Sequence, residues 1–203
     1  MFTGIVETTG TVTDVTTDAD GRRIRIETAE LGPFDHGESI AVNGVCLTVE
    51  EYGTDWFSVF TASETLDKTT LDAVATGDRV NLERPMPADG SFDGHVVQGH
   101  VDTTTTIEAI ESVGEDWTFT VAQPAGYEQY IADKGSVTID GVSLTVADLD
   151  DEAGTFDIAI IPTTYDETRF GEYEVGDRVN VEVDVIAKYV ERLAERGAVQ
   201  RSS

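Results

Sequence analysis

The sequence predicts an all-β fold made twice over: two homologous domains of short antiparallel strands, each a small closed or nearly closed barrel, followed by one C-terminal helix. Three observations carry this. The chain repeats itself once, its apolar residues alternate with polar ones in short β-branched runs, and a tight hairpin signature stands at the same place in each half.

Asn43-Gly44-Val45-Cys46-Leu47-Thr48-Val49 returns as Asp140-Gly141-Val142-Ser143-Leu144-Thr145-Val146, five of seven identical at an offset of 97. Gly77-Asp78-Arg79-Val80-Asn81-Leu82-Glu83 returns as Gly176-Asp177-Arg178-Val179-Asn180-Val181-Glu182, six of seven at an offset of 99. Glu64-Thr65-Leu66 answers Thr163-Thr164-Tyr165, and Thr3-Gly4-Ile5-Val6 answers Gln98-Gly99-His100-Val101 at an offset of 95. A period this long is that of a domain, not of a solenoid unit. The Gly- and Pro-containing run 87–94 breaks any continuing element, so the expected division is 1–94, 95–184 and 185–203.

Within the first repeat, runs 10–15, 23–27, 56–60 and 79–82 alternate apolar and polar residues, as strands of a half-buried sheet do. Asn43-Gly44 and Asp140-Gly141 are hairpin turns between apolar strands. A barrel follows from several short strands and a tight hairpin, with a sandwich as the alternative. Helical pattern is sparse: Ser63 or Thr65 is placed to cap a short helix through 70–74, and 124–131 reads as another. The clearest helix is C-terminal, with Ile186, Tyr189, Val190, Leu193 and Ala194 on one face and Lys188, Glu191, Arg192 and Glu195 on the other. Its apolar stripe is expected to meet other chains or to pack back on the second barrel.

Composition narrows the function. Thirteen Lys and Arg face 40 Asp and Glu among 203 residues, a formal charge of −27. That balance disfavours nucleic acid, whose phosphates it repels. The acids are spread along the chain and only Lys68, Lys134 and Lys188 are lysines, a pattern resembling proteins of salt-loving cytoplasms, where the Debye length shrinks to about 3 Å at 1 M salt. One cysteine, Cys46, forms no internal disulfide, and three histidines at 36, 95 and 100 give no zinc spacing. No run is long and apolar enough to span a membrane, and the N-terminus lacks signal-peptide character, so the expectation is a soluble cytoplasmic protein.

The opening Met1-Phe2-Thr3-Gly4-Ile5-Val6-Glu7, both hairpin motifs, the junction Gly94-His95-Val96-Val97-Gln98-Gly99-His100-Val101 and the run Tyr130-Ile131-Ala132-Asp133-Lys134-Gly135 together resemble riboflavin synthases over essentially the whole chain. The resemblance implies two six-stranded Greek-key β-barrels, a helix that joins three chains, no cofactor and no metal. It implies a transferase that moves a four-carbon unit between two molecules of 6,7-dimethyl-8-ribityllumazine, giving riboflavin and 5-amino-6-ribitylaminouracil. A homotrimer and an association with lumazine synthase are the implied protein partners. A duplicated pocket suits a reaction between two copies of one substrate, because orienting both turns an encounter into an intramolecular event.

The substrate-binding residues that the resemblance carries over, in the first barrel, are Phe2, Gly4, Ile5 and Val6, then Cys46, Leu47 and Thr48, and the run Phe60, Thr61, Ala62, Ser63, Glu64 and Thr65. In the second they are Gly99, His100 and Val101, Lys134, then Ser143, Leu144 and Thr145, and the run Ile161, Pro162, Thr163, Thr164, Tyr165 and Asp166. Backbone amides and hydroxyls suit the donor and acceptor edge of a pteridine. The same resemblance implies His100, Ser143, Cys46 and Asp184 as the catalytic candidates: His100 to transfer protons, Ser143 or a water as transient nucleophile, Asp184 to orient or accept a proton. Cys46 also reads as a plain strand residue, since Ser143 replaces it in the second repeat. His100 stands where the first repeat has Ile5, an asymmetry that favours a role. Thr163 departs from the Glu of the first repeat. A non-catalytic lumazine- or flavin-binding protein is the rival reading.

Overall fold

A computed structural model describes residues 1–91 and 93–201; Phe92 in the expected boundary run and Ser202–Ser203 in the expected tail lie outside the described residues. The first barrel is built from β1 (Thr8–Thr17), β2 (Gly21–Glu27), β3 (Ser39–Val42), β4 (Val45–Tyr52), β5 (Trp56–Ala62) and β6 (Arg79–Glu83). Around its wall the strands run β1-β2-β5-β4-β3-β6, closed by pairing of β6 with β1. The second, from β7 (Thr103–Val113), β8 (Asp116–Ala122), β9 (Ser136–Ile139), β10 (Val142–Asp150), β11 (Thr155–Ile160) and β12 (Arg178–Val183), closes in the same cyclic order. Both are therefore six-stranded antiparallel barrels, and the sandwich alternative is excluded.

Alternation along the strands is what fills each barrel. On β4, Val45, Leu47 and Val49 turn inward and are buried while Cys46 and Thr48 turn out; on β10, Val142, Leu144 and Val146 do the same around Ser143 and Thr145. The inward rows, with Ile24, Ile26, Phe57 and Val59 in one barrel and Phe119, Val121, Phe156 and Ile158 in the other, pack two separate cores. Register shifts fall at matching points, after Val12 and Val49 in the first barrel and after Ile107 and Val146 in the second. Such bulges bend and twist a strand, as a closed six-stranded wall requires.

The two hairpins meet at the seam between barrels. Asn43, Gly44, Asp140 and Gly141 all have positive φ, and a Cβ on Gly44 would come within 2.7 Å of the Gly141 nitrogen. The asparagines of the repeated Gly-Asp-Arg-Val-Asn motif cross this seam: Asn81 Nδ2 donates to the Asp140 carbonyl and Asn180 Nδ2 to the Asn43 carbonyl, each at 2.9 Å. The arginines of the motif cross it too, Arg79 to Glu172 and Arg178 to Asp72.

The helical expectations need correction. In place of one helix through 70–74, α1 spans Ser63–Leu66 and a separate 3-10 turn spans Thr70–Asp72. Thr69, extended at φ −130°, divides them and caps the turn by accepting from Leu71 N. Run 124–131 holds only a 3-10 turn at Glu128–Tyr130, because Gly126 takes φ +82°. An unanticipated helix, α2 (Pro162–Glu167), begins with proline at a first-turn position, where its missing N–H costs nothing.

The C-terminal helix, α3 (Val185–Arg201), sits against the second barrel by its polar side: Lys188 pairs with Asp102 at 2.6 Å, and Tyr130 OH donates to Glu191. Its apolar row points away. Ile186, Tyr189, Val190 and Leu193 are each 60–70% exposed, so the stripe does not pack back on the chain's own barrel.

Candidate active site

Both candidate sites lie on the outer walls of the barrels, where β4 and β10 turn Cys46 and Ser143 outward. The barrel lumens are occupied by the two buried apolar cores. Leu47 and Leu144, expected to bind substrate, point into those cores and are 6% and 9% exposed. They shape the wall and do not face the site.

A strap of extended chain lies over each of these strands. Phe2 and Val97 form an isolated antiparallel bridge, with N–H to O distances of 2.7 and 3.1 Å, so the chain beyond each residue runs onto the opposite barrel. The Gly99 carbonyl accepts from Cys46 N at 2.8 Å, and the Gly4 carbonyl from Ser143 N at 2.7 Å. Glycine is required at both places. Their φ values are +78° and +75°, and a Cβ would sit 2.6 Å from the Cβ of Cys46 or of Ser143. The expected grouping is thus crossed over: Gly99, His100 and Val101 accompany Cys46, while Gly4, Ile5 and Val6 accompany Ser143. The repeat identifies the two straps but carries no information about which barrel each covers.

At the first site, Val45 and Cys46 form the wall, Glu64, Thr65, Lys68 and Thr69 one flank, and Gly99, His100 and Val101 the other, around a cavity of about 220 Å3. This is below the roughly 300–1,000 Å3 of a self-sufficient ligand pocket. His100 is exposed at its mouth. Phe2, expected to touch substrate, is fully buried under the strap with Ala41, Val97 and the flank of Cys46, where its ring supports Gly99 from below. Phe60 is half-buried on the outer wall under the Arg23 guanidinium, Thr61 is fully buried, and Ala62, Ser63 and Glu64 are exposed along the turn into α1.

At the second site Ser143 has a partner that sequence reasoning assigned no role. His95 Nδ1 lies 2.7 Å from Ser143 Oγ, and its Nε2 lies 3.2 Å from Thr138 Oγ1. Burial pushes the His95 pKa down, partly opposed by the negative charge of Asp184, so the ring is neutral at neutral pH and one nitrogen is free to accept a proton. Asp184 also accepts from Ile186 N at 2.9 Å and so caps the start of α3. The signal for His95 was present in the Gly94-His95 step just before the second repeat. Gly94 packs tightly here, since a Cβ on it would lie 2.1 Å from the Thr3 carbonyl oxygen and 3.1 Å from Ser143 Oγ.

The flank of the second site differs from the first. Thr163 and Thr164 occupy the first turns of α2, and Tyr165 stacks flat on Trp117 with centroids 3.7 Å apart and planes 3° from parallel. Ile161, Pro162, Thr163 and Asp166 are exposed. Lys134 adopts φ +61° and its Nζ reaches the Ala147 carbonyl on β10, the strand that carries Ser143 and Thr145. Among the described residues no group of three or more His, Cys, Asp or Glu side chains is placed to hold a metal, and no helix is long and apolar enough to cross a membrane.

Comparison with known proteins bears on this duplicated arrangement. The lumazine binding domain family matches the chain twice, over residues 3–85 and 98–184. The riboflavin synthase of Mycobacterium tuberculosis is 46% identical over 200 residues, covering 95% of this chain and 98% of that protein. The chain belongs to the riboflavin synthase family. Other members are similar at 44% identity in Schizosaccharomyces pombe, covering 96% of this chain and 94% of that protein, and at 40% in Bacillus subtilis, covering 97% and 91%. Of solved structures, LumP complexed with riboflavin superposes with a TM-score of 0.81 at 25% identity, over 90% of this chain and 99% of that one. The family's two matched segments each begin with a strap and end with a barrel, so each strap belongs to the same repeat as the barrel it leads into and covers the other one.

Proposed function

We propose that this chain is a transferase that makes riboflavin by dismutating two molecules of 6,7-dimethyl-8-ribityllumazine. The four-carbon unit comprising C6, C7 and their methyl groups leaves one molecule, which becomes 5-amino-6-ribitylaminouracil, and completes the benzenoid ring of the other. The observation that carries this reading is the pair of related but unequal sites, each with an outward thiol or hydroxyl beside a histidine. A reaction between two copies of one substrate in different roles needs such sites.

The residues divide the work as follows. His95 Nδ1 takes the proton of the Ser143 hydroxyl, or of a water beside it, as that same oxygen adds to C7 of one lumazine. Asp184 stabilises the imidazolium so formed. His100, at the mouth of the first site, exchanges the proton lost by the C7 methyl of the other lumazine. That anion delocalises into the ring, so a modest base suffices. Cys46, Thr48 and Thr65, and Thr145, Thr164 and Lys134, supply polar contacts to the ring edge and the ribityl hydroxyls.

The small, open first cavity and the outward apolar row of α3 support a homotrimer in which the first site of one chain faces the second site of the next. Juxtaposing the two rings supplies much of the rate. The charge of −27 supports work in a salt-rich cytoplasm, and lumazine synthase, as source of the substrate, is the further partner. The test is purified protein with 6,7-dimethyl-8-ribityllumazine alone in molar KCl. Riboflavin with one pyrimidine per flavin is expected; tight binding with no product would make the chain a lumazine- or flavin-binding protein instead.

A further inference from the structure

Glu83 and Glu182 end the repeated Gly-Asp-Arg-Val-Asn-x-Glu motif and are buried at 5% and 3% exposure, although nothing in the proposed chemistry calls for either. Each carboxylate spends itself on a strap. Glu83 accepts from Thr3 N at 2.6 Å, from Thr3 Oγ1 at 2.9 Å and from Gly4 N at 3.1 Å. Glu182 Oε1 accepts from Gln98 N at 2.7 Å and Oε2 from His100 N at 2.8 Å. The strap held by Glu182 then gives the Gly99 carbonyl to Cys46 N and carries the His100 side chain to the mouth of the first site.

The two glutamates are not equally supported. Glu83 is faced by another acid, Glu7. Glu182 is faced by Lys188 on α3 and by Asp102 ahead of β7, and these two are paired with each other at 2.6 Å. Asp102 also accepts from Val183 N, the residue after Glu182, at 3.0 Å. Burial raises the Glu182 pKa, while the two amide donors and the Lys188 charge oppose the rise. Asp102 thus joins the backbone beside Glu182 to Lys188 of α3, while the Glu182 carboxylate itself holds the His100 strap.

We propose that Glu182 is a positioning residue for the riboflavin-forming reaction: by accepting the Gln98 and His100 amides on separate oxygens, it fixes where His100 stands over the Cys46 site. This rests on the catalytic reading above. A carboxylate is needed because two N–H donors converge on two oxygens. A glutamine offers one acceptor oxygen, and its NH2 would point at the remaining donor.

The test is a double-mutant cycle on turnover of 6,7-dimethyl-8-ribityllumazine with wild type, Glu182→Gln, His100→Ala and the double variant, each checked for folding by thermal melting. The expected result is a loss of at least tenfold in kcat for E182Q, with the double variant within twofold of H100A alone. Losses that multiply would show that Glu182 acts on the fold at large, and an E182Q enzyme within twofold of wild type would show no positioning at all; either overturns the proposal. If E182Q does not fold, Glu182→Asp, which keeps the charge but withdraws it by one methylene, enters the same cycle under the same criteria. A wild type that binds riboflavin but forms none would defeat the catalytic reading separately, and the cycle is then read on riboflavin affinity with the same tenfold and twofold limits.

Discussion

Ser143 Oγ and His95 Nδ1 lie 2.7 Å apart, and the histidine of that pair has no counterpart in the first repeat. At the offset of 95 that relates the straps, no residue of the chain matches it. Cys46, the equivalent of Ser143, instead shares its cavity with His100, which replaces Ile5. The two sites occupy equivalent places in the repeat, yet both histidines come from the one junction segment, His95 ahead of the Val97 bridge and His100 beyond it.

This makes the ranking of variants testable. Ser143→Ala, His95→Ala and His100→Ala are each expected to lower kcat by roughly 10²-fold, the lower range for a lost general acid or base, and Cys46→Ala by much less. The His95 ring must be neutral to accept a proton, and its pKa lies below the ordinary histidine value. The loss of turnover that His95 contributes should therefore set in below the usual histidine range, and His95→Ala should remove that part of the acid limb. Equal kcat for all four variants would overturn the ranking.

Asp140 is wholly buried at the seam, hydrogen-bonded to Tyr173 OH and Asn180 N, and burial pushes its pKa up to about 6. The folded state then binds a proton that the unfolded chain has already released. Stability from this group is full below the ordinary carboxylate pKa and declines as pH rises through about 6, by an amount on the order of 3 kcal/mol. Asn43 makes the same bond to Asn81 N without a charge. Asp140→Asn is therefore expected to flatten the dependence of Tm on pH between 4 and 7 and to raise Tm at pH 7. An unchanged slope would show that Asp140 titrates normally.

Lys134 holds φ +61° where the first repeat has Gly37 at +85°; the two amides donate to Val146 and Val49, themselves equivalent. A non-glycine residue there costs on the order of 1 kcal/mol, which a functional side chain justifies. Lys134→Gly should raise stability by roughly 0.5–1 kcal/mol in urea melts while weakening substrate affinity. Loss of stability together with unchanged affinity would reverse that interpretation.

The outward row of α3 gives a further test. Tyr189→Asp with Leu193→Asp alters two exposed side chains and leaves the Lys188–Asp102 contact in place. Sedimentation should show a monomer of unchanged secondary structure, with turnover down by about 10² or more as the facing sites separate. A trimer that survives both aspartates would place the interface elsewhere.

Much of the architecture was legible because it depends on local rules. Period-two alternation fixes which residues of β4 and β10 turn inward, Asn-Gly and Asp-Gly specify the hairpins through positive φ, and the repeat of about 97 residues announces two copies of one domain. The outward placement of Cys46 and Ser143 follows from the same alternation. The helices near residues 63–74 and 124–131 were harder, since a capping threonine and one glycine with φ +82° decided them.

Only the tertiary structure decided which strap covers which barrel. That choice depends on the Phe2–Val97 bridge and on carbonyls of Gly4 and Gly99 reaching strands of the other repeat, contacts between residues far apart in the chain and unrelated by any local pattern. It also decided that Phe2 and Leu47 face inward, that His95 meets Ser143, and that α3 turns its apolar row outward. The sequence by itself determined the duplication, the hairpins and which residues of β4 and β10 turn outward, because those follow from spacing along the chain, whereas closure into barrels rather than a sandwich needed the pairing of β6 with β1. The composition of each site needed the fold, because a motif records what a residue is but not which distant backbone amide it meets.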